Sequence, residues 1–163
     1  MKALLPDQLE DNLTHSPPVS ALAGSLRMSD PVPTVLVVDS DPVFREFQAQ
    51  TLCDQGYKVL KAPGAAEALR LAGTTTAVHL LLTDYVMPEF DGLELTRRFR
   101  AVHPKTPVLM VSGSLPLIQD RADDLEHFAL LPKPFHFGEL LHKVRTLLDA
   151  ATPLPIRRPW HCD

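Results

Sequence analysis

From Thr34 onward, five short apolar runs alternate with amphipathic stretches, and that alternation restricts the chain to an α/β fold with a parallel sheet. Strands are predicted at Val35-Leu36-Val37-Val38, Lys58-Val59-Leu60, Leu80-Leu81-Leu82, Val108-Leu109-Met110-Val111 and Ala129-Leu130-Leu131. The first, third and fourth are nearly continuous apolar runs, as strands must be when helices cover both faces of the sheet. Helical spacing appears between them in Phe44/Phe47/Leu52, Ala65/Ala68/Leu69/Ala72 and Leu93/Leu95/Phe99/Val102, in a polar segment from Leu117 to Leu125, and in Leu140/Leu141/Val144/Leu147/Leu148. Right-handed connections build such units into a doubly wound sheet. Its ligands collect beyond the carboxyl ends of the strands, where the strand order reverses.

The 163 residues hold one domain of ordinary size with tails. Residues 1–33, with Pro17-Pro18 and scattered acids, Ser and Gly, are expected to be a disordered extension, and Met28 is an alternative start. The domain is expected over residues 34–150, followed by a short tail over 151–163. A tail of that length has no room for a DNA-binding or effector domain, so a stand-alone protein acting through a partner is expected. Within it, Ile156, Arg157, Arg158, Pro159 and Trp160 form a candidate docking segment.

A net charge of −4 gives no general attraction to phosphate backbones, and no direct DNA binding is expected. Cys53 and Cys162 stand too far apart in sequence for a CxxC pair or a disulfide framework. With no signal-like or membrane-spanning apolar run, a cytoplasmic protein is expected.

The predicted strand ends carry the chemistry. Strand one ends in Asp39-Ser40-Asp41, strand three in Thr83-Asp84 and strand four in Ser112-Gly113-Ser114, and Lys133-Pro134 follows strand five. Converging carboxylates repel one another and are relieved by a hard divalent cation with oxygen ligands, Mg²⁺ being the natural candidate. Such an ion would neutralise an incoming phosphate while Lys133 and the Ser112 hydroxyl hold its other oxygens, leaving a central carboxylate to act as nucleophile. Each residue also has a plainer reading. Asp41 before Pro42 fits a helix N-cap, Ser112 a turn residue, and Lys133 a surface lysine.

These residues resemble the receiver domain of two-component response regulators from about Thr34 to Ala150. The resemblance rests on Val35 to Asp39, on Leu-Leu-Leu-Thr-Asp-Tyr-Val-Met-Pro-Glu-Phe-Asp-Gly at Leu80 to Gly92, on Val-Ser-Gly at Val111 to Gly113, and on Pro-Lys-Pro-Phe at Pro132 to Phe135. It implies a flavodoxin-like five-stranded sheet of order 2-1-3-4-5 with helices on both faces. It further implies that Asp84 accepts a phosphoryl group from a histidine kinase or histidine phosphotransfer protein, with Mg²⁺ bound beside it. By the same matching, Asp39 and the backbone carbonyl of Val86 join Asp84 around the metal, with Asp41 and Ser40 as further candidates. Ser112 and Lys133 hold the phosphoryl group, the Lys133–Pro134 bond is cis, and Leu130 stands at the switch position. The side chains of Val86 and Ser114 lie where the family tunes attack by water on the phosphoryl group.

Two positions depart from the family pattern. Ser40 replaces the second of two adjacent acids, which weakens the expected metal binding, and Leu130 stands where an aromatic switch residue is usual. The runner-up reading is therefore a degenerate receiver-like module that binds proteins with weak or no phosphorylation. A phosphatase of the haloacid-dehalogenase type would need an acidic motif after an apolar strand downstream of Lys133. Glu139, Asp149 and Asp163 do not supply one. A flavodoxin-type cofactor site is excluded by the acidic first loop.

Overall fold

The computed structural model describes residues 31–75, 77–114, Ile118 and 128–151. The predicted extension as far as residue 30, the polar helical segment apart from Ile118, and the tail from residue 152 lie outside the described residues.

Each predicted apolar run is a strand: β1 Thr34–Val38, β2 Lys58–Ala62, β3 Leu80–Asp84, β4 Val108–Ser112 and β5 Phe128–Pro132. All pairings are parallel, in the order β2-β1-β3-β4-β5. Among the described residues four helices accompany them: α1 Pro42–Asp54, α2 Ala65–Thr74, α3 Gly92–Val102 and α4 Phe137–Ala151.

The period-two alternation of the strands sorts their side chains between two cores. Leu36, Val38, Leu81 and Val108 face Ala65, Ala68 and Ala72 of α2 and Leu95 and Phe99 of α3. Val35, Val37, Leu80, Leu82, Leu109 and Val111 face Leu52 of α1 and Leu140, Val144 and Leu148 of α4. Burying β1, β3 and β4 on both faces is what their unbroken apolar runs require, and β1 is buried along its full length. A smaller cluster of Tyr85, Leu93, Met110 and Ile118 lies beside them, with Phe128 and half-buried Leu130 packed against it.

Local signals fix the helix ends. Asp41 caps α1 by accepting from the backbone N–H groups of Val43 and Phe44 at 2.8 and 3.2 Å, with Pro42 in the first turn, where its missing N–H costs nothing. Past the other end of α1, Gly56 takes φ 82°, a left-handed geometry that suits glycine. Asp91 caps α3 through the N–H of Glu94 at 3.0 Å. These caps direct the chain from β1 into α1 and from the β3 loop into α3. Because β1 and β3 are neighbours whose outer partners lie on opposite sides, their carboxyl ends flank the reversal in strand order.

Candidate functional site

Asp39 follows the last residue of β1 and Asp84 ends β3, so the sheet brings two carboxylates to one edge. Asp39 is buried. Its Oδ1 accepts from the backbone N–H of Asp41 at 2.9 Å, and its Oδ2 from the side-chain amide of Gln48 at 3.2 Å. The guanidinium of Arg45 donates to its backbone carbonyl at 2.7 Å. Both carboxylate oxygens and the backbone carbonyl of this residue therefore each accept a hydrogen bond.

Lys133 reaches the same space from the loop after β5. Its Nζ lies 3.3 Å from Asp84 Oδ2 and 3.9 Å from Asp39 Oδ2. The Phe44 ring lies under the ammonium, 4.7 Å from Nζ to the centroid, and meets Phe135 edge-on at 5.7 Å. The backbone N–H of Lys133 donates to the carbonyl of Ser112 at 2.8 Å, which ties its loop to the end of β4, and the Lys133–Pro134 bond is cis.

Ser112 is buried, and its Oγ closes a tight turn by accepting from the N–H of Ser114 at 3.0 Å. Ser40 and Val86 are exposed at the rim. Asp41 is also exposed, and its carboxylate is committed to the α1 cap.

Burial pushes the Asp39 carboxyl above the ordinary aspartate range. The Asp41 N–H and the Lys133 ammonium pull it back in part, while the carboxylates of Asp84 and Asp41 add to the push. Two carboxylates against one ammonium leave the pocket net negative. Hard oxygen donors facing a common space with an unbalanced negative charge suit a small divalent cation.

The β3–α3 loop approaches the site closely. Its Glu89 sits at φ 74°, in the left-handed region that a side chain adopts reluctantly, inside a turn closed by the Phe90 N–H on the Pro88 carbonyl at 3.0 Å. The N–H of Gly92 donates to the Tyr85 carbonyl at 2.9 Å, folding the loop back onto the end of β3.

The structure thus brings Asp39, Asp84 and Lys133 into direct contact distance, joins Ser112 to Lys133 through the backbone, and places Ser40 and Val86 at the rim. It adds Phe44, Arg45 and Gln48 from one side of α1, which sequence reasoning did not single out. Gln48 carried a usable signal, since it stands four residues after Phe44 and four before Leu52, a polar residue in the buried phase of the helix.

A family model described as the response regulator receiver domain matches residues 35–145. The response regulator MprA of Mycolicibacterium vanbaalenii is 36% identical over 121 residues, which cover 73% of this chain and 52% of that protein. The chain thus spans about half the length of the curated relatives it matches. Among solved structures, Vibrio cholerae chemotaxis protein CheY4 superposes with a TM-score of 0.66 at 28% identity, covering 71% of this chain and 98% of CheY4. The receiver domain of the hybrid histidine kinase CckA gives 0.61 at 29%, covering 71% and 98%. A CheY-like receiver protein from Methanospirillum hungatei gives 0.69 at 27%, covering 75% and 98%.

Proposed function

Since the chain belongs to the response regulator receiver domain family, we propose that it accepts a phosphoryl group on Asp84 from a histidine kinase or histidine phosphotransfer protein and passes the change on through protein–protein contacts. The observation that carries this reading is the Lys133 ammonium set between two carboxylates, 3.3 Å from Asp84 and 3.9 Å from Asp39, at the reversal in strand order.

An oxygen of Asp84 attacks the phosphorus of the donor phosphohistidine, the P–N bond breaks, the imidazole leaves, and an acyl phosphate remains on Asp84. Lys133 follows the negative charge from the carboxylate onto the phosphoryl oxygens. Ser112, freed from its turn with Ser114, gives its hydroxyl to another of those oxygens. Mg²⁺ would be held by Asp39, Asp84 and the backbone carbonyl of Val86, with Ser40 contributing through water. When bound it supplies charge neutralisation for the entering phosphoryl group.

Leu130 packs beside Tyr85, Leu93, Met110 and Ile118. With an aliphatic residue there, the signal leaves the site through Ser112 and the segment after it, without an aromatic rotation. Val43, Phe47 and Phe137 are exposed apolar side chains on α1 and α4, and the Phe47 and Phe137 rings touch at 4.0 Å between centroids. They supply an apolar surface on which a phosphodonor protein would sit.

A second reading, a receiver-like binding module with little phosphorylation, is favoured by one observation. Ser40 brings no carboxylate, and the acid after it caps α1. Fluorine NMR with beryllofluoride, a phosphoryl mimic, separates the two. A bound signal that needs both Mg²⁺ and Asp84, and is lost in Asp84→Asn, supports phosphorylation. No signal in the wild type with recovery in Ser40→Asp supports the binding module.

A further inference from the structure

We propose that Gln48 is a positioning residue for the cation beside Asp84, holding the Asp39 carboxylate in the orientation that lets it act as a ligand without a neighbouring acid. The inference rests on the reading of Asp39 and Asp84 as a cation-dependent phosphoryl-accepting pair.

Gln48 lies on the buried side of α1 with Ala49 and Leu52, and it is 2% exposed. A primary amide in that position loses its water and must find partners inside the protein. Its Nε2 donates to Asp39 Oδ2 at 3.2 Å. A carboxylate accepts and does not donate, so the amide must turn its NH₂ toward Asp39.

The consequence lies in the geometry of Asp39. Its two oxygens are held from different elements, Oδ1 by the Asp41 N–H at 2.9 Å and Oδ2 by Gln48. Two donors on two oxygens fix the carboxylate plane, while each oxygen keeps a further lone-pair direction. Without Gln48, Oδ2 would answer only to Lys133, now 3.9 Å away, and rotation toward that ammonium would spend the oxygen on an ion pair.

Such orientation matters here because Ser40 adds no carboxylate and the Asp41 carboxylate bonds the N–H groups of Val43 and Phe44. Asp39 is left to meet a small cation without a carboxylate from either of the next two residues, so its own orientation decides how well it binds. Phe44, one turn before Gln48 on the same side of α1, stacks under Lys133. One helix face thus contacts both the carboxylate and the ammonium.

The test is Mg²⁺ titration of wild type, Gln48→Leu and Gln48→Met, followed by ¹H–¹⁵N NMR, with thermal unfolding of each. Two apolar replacements guard against one that packs badly. In the wild type the Gln48 side-chain NH₂ resonances should move on adding Mg²⁺, and that movement should vanish in Asp39→Asn. Both Gln48 variants should stay folded, with Mg²⁺ affinity reduced about tenfold, the lower end of the weakening seen on losing a group that orients a metal ligand. Affinity within twofold of wild type in a folded variant, or Gln48 resonances indifferent to Mg²⁺, overturns the proposal and leaves the phosphoryl-accepting reading intact. A wild type that binds no Mg²⁺ at all overturns both.

Discussion

A Cβ placed on Gly92 would fall 2.5 Å from the backbone carbonyl oxygen of Asp84, closer than nonbonded atoms can approach. The first residue of α3 is thus packed against the last residue of β3, and the fixed atom on the other side is backbone, which cannot swing away. Gly92→Ala should therefore shift the β3 end and lower stability by about 2 kcal/mol, within the range for overpacking a tight site. A reduced urea midpoint with an unchanged slope would match this. A stability equal to wild type would mean that the loop from Tyr85 to Asp91 yields freely.

Asp41 separates two uses of one carboxylate. Its oxygen accepts from two backbone N–H groups at the start of α1, so Asp41→Ala should cost about 1 kcal/mol, the usual loss for removing such a cap. The backbone N–H that holds Asp39 survives the substitution, and Mg²⁺ affinity should stay within about twofold, since one cap hydrogen bond more or less leaves the cation's own ligands in place. A tenfold fall in affinity, measured by calorimetric titration, would instead make Asp41 a metal ligand.

The sheet was legible because β1, β3 and β4 are buried on both faces, so their apolar runs are continuous but only three or four residues long, too short for helices, and they alternate with longer amphipathic stretches. Asp39, Asp84, Ser112 and Lys133 were legible for a related reason, since each stands within two residues of the last apolar residue of its strand and is carried to the sheet edge. Gln48 and Phe44 were not. They act from inside a helix, where Phe44 counts toward an apolar stripe and Gln48 reads as an interruption of it, and only the fold shows that both face the acids. Phe47 illustrates the converse. It carries the helical spacing of a core residue, yet it is 43% exposed and packs against Phe137 at the surface.

Asp39 should make stability depend on pH in a definite sense. Burial raises its pKa in the folded protein, so between the ordinary aspartate value of about 3.9 and the raised value the native state holds a proton that the unfolded chain has released. Its contribution to stability is fully present below that window and is lost as pH rises through the folded pKa. Asp39→Asn removes this penalty and leaves Lys133 paired with Asp84. In metal-free buffer the variant should be more stable than wild type at pH 7, with the gain shrinking toward pH 4. A gain that is constant across this range, in denaturant titrations at several pH values, would locate its origin elsewhere.

Val86 bears on how long a phosphoryl group would last. Its side chain is 62% exposed at the rim of the site, two residues beyond Asp84, and carries no group able to hold water. Hydrolysis of the acyl phosphate requires a water aligned opposite the Asp84 oxygen, and an apolar side chain at the mouth leaves that water unoriented. Val86→Asn places an amide there without disturbing the core, because the position is exposed. After phosphorylation with a small-molecule donor, the variant should lose the phosphoryl group several-fold faster than wild type. The decay can be followed by ³¹P NMR or by gel separation of the two forms. Slower loss in Val86→Asn would show that valine does not shield the acyl phosphate, and that the rate is set by Lys133 and Ser112 holding the phosphoryl oxygens.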